Sequence, residues 1–356
     1  MPDSSDILRA ARPVVRLANQ DRAELGLGLL ELTVSEDTAG LYRCEATFGN
    51  WGTTNGTTSF LYFDRKVLEF GKDLSIKFDD ATLFEGRVIG IEGDFPEGRP
   101  ARITVLADDR LQDLRMTRRT RSWENSNDAD VLHSIASDHG LDADIDLDGP
   151  TRPVIAQVNQ SDLRFARERT CAAGGELWVE GTKFIVKRRP ARASTDAPEL
   201  AHGRNLRSFK VLADLAHQRT KVSVSGWDIG AKDAVKHDAS ASLIGSELDG
   251  GDSGPSILQN ALGERVDTLV HTAARSSAEA EAIADAHFRD VARRFVVGHG
   301  TAEGDVRLRV GRKVQISGVG ALFAGKYVIC ETRHTFTGTE GYRTDFTVER
   351  PALGKP

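Results

Sequence analysis

The sequence predicts an α+β fold that is mainly β, with two strand-rich blocks, a small α+β insertion between them and one long helix. Three observations support this prediction. Short stretches of β-branched and alternating character fill the first block, two amphipathic helical stretches then interrupt them, and strands resume around a long helical stripe. A chain of 356 residues is also too long for one average domain, so two or three domains are expected.

The first block, residues 1–121, is predicted to consist of short strands separated by turns such as Asp79-Asp80. Several short strands at this spacing are typical of a β-barrel or a β-sandwich. Residues 49–59 are rich in Gly, Thr and Asn and show no apolar period, so we interpret them as a loop and a candidate partner contact. The predicted strands of this block cover residues 13–18, 28–36, 41–48, 73–78, 83–95 and 101–108.

The insertion, residues 122–190, is predicted to be a small α+β domain. Helices are expected over 126–140 and 161–175, the second with Ser161 as its N-cap. A β-hairpin over 176–188 follows, with its turn near Glu180-Gly181. The polar stretch 188–200 contains two prolines and is interpreted as a linker.

The second block, residues 191–356, is predicted to combine strands, a loop-rich segment over 229–265 and a helix over 275–296. Ser276 and Glu279 have the spacing of a capping box at the start of that helix. An apolar stripe with helical period follows and includes His287, which in such a stripe is more often a core residue than a ligand. The predicted strands cover 206–215, 219–228, 305–317, 325–337 and 341–350.

Charge and composition exclude several classes of protein. The net charge of −6, from 47 basic and 53 acidic residues, argues against bulk nucleic-acid binding. Residues 115–121 are a local basic run that we interpret as a strand edge or a partner contact rather than a phosphate site. No apolar run approaches the roughly 20 residues of a transmembrane helix, and the N-terminus lacks the apolar region of a secretory signal. The three cysteines, Cys44, Cys171 and Cys330, form no disulfide framework, which suits a reducing cytoplasm.

The stretch Gly251-Asp252-Ser253-Gly254 resembles the nucleophile loop of trypsin-like serine proteases. A nucleophilic serine needs a histidine base and an orienting carboxylate. None of the nine histidines has the sequence context of that base, and Pro255 stands where those enzymes have a further glycine. We therefore interpret the stretch as a surface loop and keep as the alternative a hydrolase that uses Ser253, either a serine peptidase or a cell-wall-degrading enzyme.

No catalytic, cofactor-binding or metal-binding residue is predicted elsewhere, so the chain is not expected to be an enzyme. The acidic stretch 142–149 resembles a calcium loop at first, but Gly149 comes too late, and a polar loop is the better interpretation. His133 and His139 are six residues apart, which is not the i, i+4 spacing of two ligands on a helix. His334 has no acidic residue beside it in the chain.

Several stretches in a fixed order resemble the phage late control protein D family, which is similar to the hub part of the VgrG spike proteins. The most telling are the pattern Gln157-x-Asn159-x-Ser161-Asp162 and the terminal block that holds His334 and Tyr342. Glycines in the terminal block allow tight turns, and the residues from Gln157 to Asp162 are expected to cap a helix, so the motifs themselves predict structural roles. The stretches cover 84–123, 130–141, 157–188, 222–228, 275–296 and 309–350.

The resemblance implies two related β-barrel hub domains in each chain and a homotrimer, so that six barrels face a six-fold tail tube and a three-fold spike. The implied partners are the tail tube protein, a separate spike protein, baseplate wedge or adaptor proteins and a tape-measure protein. A separate spike is expected because the chain ends at Pro356, directly after the hub-like region. The implied location is the bacterial cytoplasm during assembly and then the baseplate of the particle, with no membrane contact at rest and no nucleic-acid specificity.

A third interpretation is a receptor-binding or cargo-binding module that uses residues 49–59. The sequence leaves open whether the particle is a phage, a tailocin or an injection system.

Overall fold

The computed structural model describes residues 12–54, 56–192, 197–228 and 230–355, with side chains at all of these except 54 and 271–273. Some of the sequence predictions fall on residues outside this description. These are the N-terminal residues 1–11, the middle of the predicted linker 188–200, and single positions of 49–59 and 229–265. Half of the chain, 50%, lies in strands and 21% in helices, so the mainly-β class is confirmed.

The first strand-rich block forms where the alternation predicts it. Its strands bury every second residue, as β7 does with its buried Leu74, Ile76 and Phe78. The elements are β1 (Val14–Leu17), β2 (Gln20–Asp21), α1 (Ala23–Gly28), β3 (Leu29–Asp37), β4 (Arg43–Gly49), β5 (Trp51–Thr54), β6 (Thr57–Phe60), β7 (Asp73–Phe78), β8 (Ala81–Asp94) and β9 (Arg102–Asp108).

The insertion contains the two predicted helices and the predicted hairpin. Asn127 caps the first helix in a capping box with Asp130, and Ser161 caps the second by accepting a hydrogen bond from the backbone N–H of Arg164 at 3.3 Å. The elements are α2 (Leu111–Arg115), β10 (Arg118–Ser126), α3 (Asp128–Asp138), β11 (Asp142–Asp146), β12 (Arg152–Ser161), α4 (Asp162–Ala172), β13 (Gly175–Glu180), β14 (Lys183–Arg188) and α5 (Arg189–Arg192).

The second block holds the long helix and the closing strands. Ser276 caps that helix through the backbone N–H of Glu279. The elements are β15 (Glu199–Ala201), β16 (Leu206–Ala213), β17 (Lys221–Asp228), β18 (Asp233–Ser240), a 3₁₀ helix (Ala241–Glu247), β19 (Asp252–Ser253), α6 (Gly254–Leu262), β20 (Val266–Ala274), α7 (Ser277–Arg293), β21 (Val296–Glu303), β22 (Lys313–Ser317), β23 (Gly325–Thr337), β24 (Gly341–Arg350) and β25 (Ala352–Leu353).

The prediction of a loop over 49–59 is wrong, because β5 and β6 pair there as a hairpin in which Thr54 lies opposite Thr57. The sequence between the two strands is Asn-Gly, which is a strong sequence signal for a two-residue hairpin turn. The flanking threonines are β-branched and suit strands. Because these residues are only weakly hydrophobic, the hairpin shows no apolar alternation in the sequence.

The prediction of a loop-rich segment over 229–265 is also wrong. It contains β18, the 3₁₀ helix, β19 and α6. In β18 only Val235 and Ala239 are buried, so the strand lacks the period-2 apolar pattern by which strands are recognised. Pairing with β17 along its whole length fixes it instead.

Three smaller corrections follow from the same tertiary contacts. The acidic stretch 142–149 is not a polar loop at its start, because β11 pairs there in parallel with β14. The stretch 188–200 is not a simple linker, because α5 and β15 lie in it. The strand predicted over 305–317 begins only at Lys313, and β21 was not predicted.

The two strand-rich blocks share one 13-stranded sheet, in the order β16-β21-β24-β23-β3-β4-β9-β8-β7-β1-β2, with β22 and β15 attached beside β23. The long strand β23 joins the blocks. Its first part pairs with β22 from the second block, and its last part pairs with β3 from the first block. A register shift between Ile329 and Glu331 separates the two parts.

Four hydrophobic cores form around this sheet. The first block and the strands of the second block each have one, built around residues such as Phe48 and Tyr327. The insertion has its own core between α3, α4 and the sheet β11-β14-β13. A fourth core lies between α7 and the sheet β18-β17-β20, around Phe288. The domain boundaries at residues 121 and 190 stay a prediction. The fourth core lies inside the third predicted domain, residues 191–356.

A buried polar cluster fills the junction between the two blocks. Glu36 on β3 forms an ion pair with Arg309, and its Oε2 accepts a hydrogen bond from the backbone N–H of Val310 at 3.2 Å. Burial would raise the pKa of Glu36, but the Arg309 charge and the hydrogen bonds outweigh it and lower that pKa. The carboxylate therefore stays ionised and ties β3 to the segment that precedes β22.

His334 lies in the same cluster and is fully buried. Its Nε2–H donates a hydrogen bond to the carbonyl oxygen of Leu308 at 2.9 Å, because a carbonyl can only accept. Its Nδ1 lies 2.9 Å from the hydroxyl of Tyr342 and 3.1 Å from that of Thr344. Tyr342 in turn stacks on Phe78 of the first block, with ring centroids 3.8 Å apart. The imidazole is thus a neutral structural residue.

Because burial lowers the pKa of His334 from 6.5 to about 4, this histidine should contribute a loss of stability in mild acid. In this window the unfolded chain binds a proton that the folded chain does not bind. The loss should therefore begin as pH falls below about 6.5 and reach about 3 kcal/mol near pH 4. Urea unfolding at about pH 7 and about pH 5 measures this slope.

The replacement His334→Gln should flatten that slope whatever its effect on stability at neutral pH. The matched control is His133→Gln, which replaces an exposed histidine and should keep the slope of the unmodified chain. An unchanged slope in His334→Gln would show that the junction histidine is not the group that titrates.

Candidate functional site

Ser253 caps a helix and is not placed as a nucleophile. Its Oγ accepts a hydrogen bond from the backbone N–H of Ser256 at 3.2 Å at the start of α6, and the residue is 5% exposed. Within the described chain this hydroxyl is hydrogen-bonded to the backbone of Ser256 and not to a histidine. Asp252 is exposed and lies 3.6 Å from the Nζ of Lys355 rather than beside a base. The arrangement lacks the base that a serine hydrolase needs.

The glycines around Ser253 are required by close packing. A Cβ at Gly251 would lie 2.0 Å from the carbonyl oxygen of Leu353, because β19 and β25 pair there. A Cβ at Gly254 would lie 2.6 Å from Phe295. Pro255 occupies the first turn of α6, where its missing N–H costs nothing. The protease-like sequence is therefore explained by the close packing of a strand pair and by the start of a helix.

The remaining histidine candidates are separate from one another. His287 was expected in the core, but its side chain is 37% exposed and its Nε2 lies 3.7 Å from Asp267, so that expectation is wrong. His133 is exposed on α3. His139 lies 2.9 Å from Asp162. Within the described ranges no group of three His, Cys, Asp or Glu residues has the arrangement of a metal site.

Asp162 is the buried anchor of the insertion and explains the motif around it. Its Oδ1 accepts hydrogen bonds from Arg121 at 3.0 Å and from Gln157 at 2.9 Å, and its Oδ2 lies 2.9 Å from His139. Burial would raise the pKa of Asp162, but these hydrogen bonds and the arginine charges outweigh it and lower that pKa. Gln157 and Asp162 thus fasten β12 and α4 to β10, which is a structural role.

Two buried arginines fasten the insertion to both strand-rich blocks. Arg189 donates to Glu176 of the insertion at 2.9 Å and pairs with Glu349 of β24. Arg192 donates to Glu176 at 2.8 Å and to the hydroxyl of Tyr42 in the first block at 2.5 Å. No local pattern predicts these contacts, because the partners are 13 to 160 residues away in the chain.

A cavity of about 610 Å³ lies beside these arginines, between the first block, the insertion and the segment before β22. Its wall includes Tyr42, Asp109, Arg192 and Arg309. Burial raises the pKa of Asp109 to about 7, yet both of its carboxyl oxygens accept backbone N–H bonds, from Tyr42 and Leu111. Asp109, Arg192 and Arg309 in this wall are already paired within the fold, which gives these three groups a structural role.

The hairpin β5–β6 carries an exposed aromatic patch, which we define as Trp51, Phe60, Phe63 and Phe95. Trp51 is 50% exposed, Phe60 47% and Phe95 65%. Ring centroids are 5.2 Å apart for Trp51 and Phe60 and 5.5 Å apart for Phe63 and Phe95. Contiguous exposed aromatic side chains are typical of protein-binding surfaces.

The basic run 115–121 begins the ribbon formed by β10 and β12. Arg119 and Arg121 are used inside the fold, where they pair with Asp138 and Asp162. Arg118 is exposed, and its side chain donates to the carbonyl oxygen of Asn159 at 3.4 Å. The run is therefore half structural and half free surface, which agrees with its interpretation as a strand edge.

None of the described helices has the length and the apolar character that crossing a membrane requires.

In the comparison with protein families, residues 54–338 match the family described as the Alg8 N-terminal domain. The chain belongs to this family. The description of the Alg8 N-terminal domain family names neither a tail nor a secretion protein. No curated protein sequence matches the chain.

Solved structures resemble the chain over nearly its whole length. A 43 kDa tail protein of prophage MuSo2 from Shewanella oneidensis has a TM-score of 0.70 at 12% identity, over 96% of this chain and 99% of that one. A tail protein from Neisseria meningitidis MC58 has a TM-score of 0.67 at 13% identity, over 95% and 96%. The E. coli c3393 protein, a component of the type VI secretion system, has a TM-score of 0.58 at 11% identity, over 92% and 76%.

These likenesses confirm the resemblance to a late control protein D-like hub at the level of the fold. At 11–13% identity they show the fold alone.

The replacement Ser253→Ala should lower the free energy of unfolding by about 1 kcal/mol, because α6 loses its N-cap. Thermal or urea unfolding measures the loss, and Ser253→Thr, which can keep the cap, is the matched control. A serine that acted as a nucleophile would behave differently. Its alanine variant would keep its stability and lose a hydrolytic activity of the purified chain, and that result would contradict the structural role.

Proposed function

We propose that this chain is the structural baseplate hub of a contractile phage tail or a phage-tail-like injection system. The observation that carries the proposal is the nearly complete overlap with a prophage tail protein, over 96% of this chain and 99% of that protein. The overlap supports a role as a tail component that works by shape and contact rather than by catalysis.

The internal plan of the chain supports a trimer that presents six similar units. The insertion, which follows the first block, and the second block each contain a three-stranded sheet with helices beside it. In both of these sheets the central strand, β14 or β17, has one parallel and one antiparallel neighbour. Three such chains contribute six similar halves, which fits the joining of a six-fold tube to a three-fold spike.

The partners of this hub follow from its place in the tail. On one side the six halves contact the tail tube protein and the tape-measure protein, and on the other the trimer holds a separate spike protein. Baseplate wedge or adaptor proteins surround it. Assembly takes place in the bacterial cytoplasm, after which the hub is part of the particle. No observation favours a hydrolase, since Ser253 is committed to a helix cap.

Deletion of the gene in its host tests the proposal. Sheathed tails, counted by negative-stain microscopy, should disappear on deletion and return with the wild-type gene and with Ser253→Ala. Cryo-electron microscopy of the restored tails should show three copies between the tube and the spike. Normal tails without the gene, or a single copy at the periphery of the baseplate, would contradict the hub function.

A further inference from the structure

Two surface features have no role in the fold or in the proposed contacts with tube and spike. One is the aromatic patch of Trp51, Phe60, Phe63 and Phe95. The other is the outer side of the β10–β12 ribbon, which we call the ribbon face and define as Arg115, Met116, Arg118, Val154 and Val158. We propose that the aromatic patch of one copy of this chain binds the ribbon face of the next copy. The inference rests on the proposed trimer and deepens it.

The aromatic patch has the composition of an interface core. Trp51 and Phe60 face each other across the hairpin, and Phe95 packs against the edge of Phe60 with centroids 6.0 Å apart. The hairpin residues 51–60 carry no charge at all. Desolvating this surface therefore costs little, and aromatic side chains supply most of the binding energy in protein interfaces.

The border of the aromatic patch is acidic. The end of β8 and the turn after it contain Glu92, Asp94 and Glu97, all exposed, and the exposed base Arg99. None of these four forms an ion pair among the described residues. Three acids and one base give this segment a net charge of −2. A partner of this surface should therefore combine apolar contact area with basic side chains.

The ribbon face has that combination. Met116 is 74% exposed, Val158 65% and Val154 49%. Arg115 and Arg118 are exposed on either side of Met116 in the chain and form no ion pair within the described chain. Val154 lies at the opposite end of the ribbon. Methionine and arginine are both enriched in interfaces, where the arginine stem also covers apolar surface. The exposed Glu124 lies opposite Val154, at the far end of the ribbon from Arg118.

The two surfaces lie at opposite ends of the first block. Strand β9 begins at Arg102, opposite Gly49 and next to the aromatic patch. It ends at Asp108, after which α2 and the ribbon begin. Its seven residues span about 20 Å. The patch and the ribbon face of one copy are thus far apart, but those of successive copies can meet head to tail, which is the arrangement that closes a ring.

The experiment uses the purified full chain and two double variants. The patch variant is Trp51→Ser with Phe60→Ser, and the ribbon variant is Arg115→Glu with Arg118→Glu. Sedimentation equilibrium gives the mass and the dissociation constant of each, and far-ultraviolet circular dichroism checks folding. We expect the wild type to self-associate and each variant to raise the dissociation constant by roughly 30-fold or more.

Mixing the two variants gives the sharper test. Each variant keeps the surface that the other has lost, so a head-to-tail contact predicts a 1:1 dimer that grows no further. The matched controls are Trp227→Ser, which replaces a 55% exposed tryptophan elsewhere, and Arg265→Glu, which replaces an exposed arginine that also bonds a backbone carbonyl. Both controls should associate like the wild type.

Three outcomes would overturn the interface: a wild-type chain that stays monomeric at the highest concentration reached, oligomers that survive both double variants, or a mixture that forms no dimer. In each case the hub function is judged separately by the tail counts. If deletion still abolishes tails, the hub function stands and this interface is wrong. If the patch variant associates normally but restores no tails, the patch binds another tail protein.

Discussion

The pairing of β3 with the last part of β23 is the interaction on which the rest of the structure depends. Seven residue pairs, from Glu331↔Asp37 to Thr337↔Glu31, join two strand-rich blocks into one sheet. The register shift after Ile329 lets one strand leave β22 and continue along β3, as bulges commonly do. The ion pair of Glu36 and Arg309 and the hydrogen-bonded His334 lie where the two blocks meet.

The sequence predicted the structure well wherever burial alternates along one strand. The ranges 325–337 and 341–350 match β23 and β24, whose apolar or β-branched residues face a core on one side. It failed where tertiary contacts replace that signal. In β18 two buried residues suffice because β17 pairs along its length, and α5 lies in a polar stretch because its arginines find distant partners. No local pattern contains that information.

In the candidate site, too, the features that depend on local sequence could be predicted and those that depend on tertiary contacts could not. The cap of Ser161, the cap of Ser276 and the structural character of the Gln157–Asp162 motif could be predicted, since a helix cap is a local property. The interpretation of the protease-like stretch around Ser253 as a surface loop was wrong, because it forms a strand and the start of a helix. Only residues 49–59 were predicted as a candidate contact, and of the aromatic patch this range includes Trp51 alone, because exposure depends on which residues the fold leaves uncovered.

Native-state hydrogen exchange tests most directly whether the shared strand makes the two blocks one cooperative unit. Mass spectrometry at increasing denaturant would follow peptides that cover β9 in the first block and β21 in the second. The account predicts opening free energies that agree within about 1 kcal/mol, because neither block can unfold while β23 pairs with both. A β21 that opens well below β9 would show that the blocks are independent and would contradict the account.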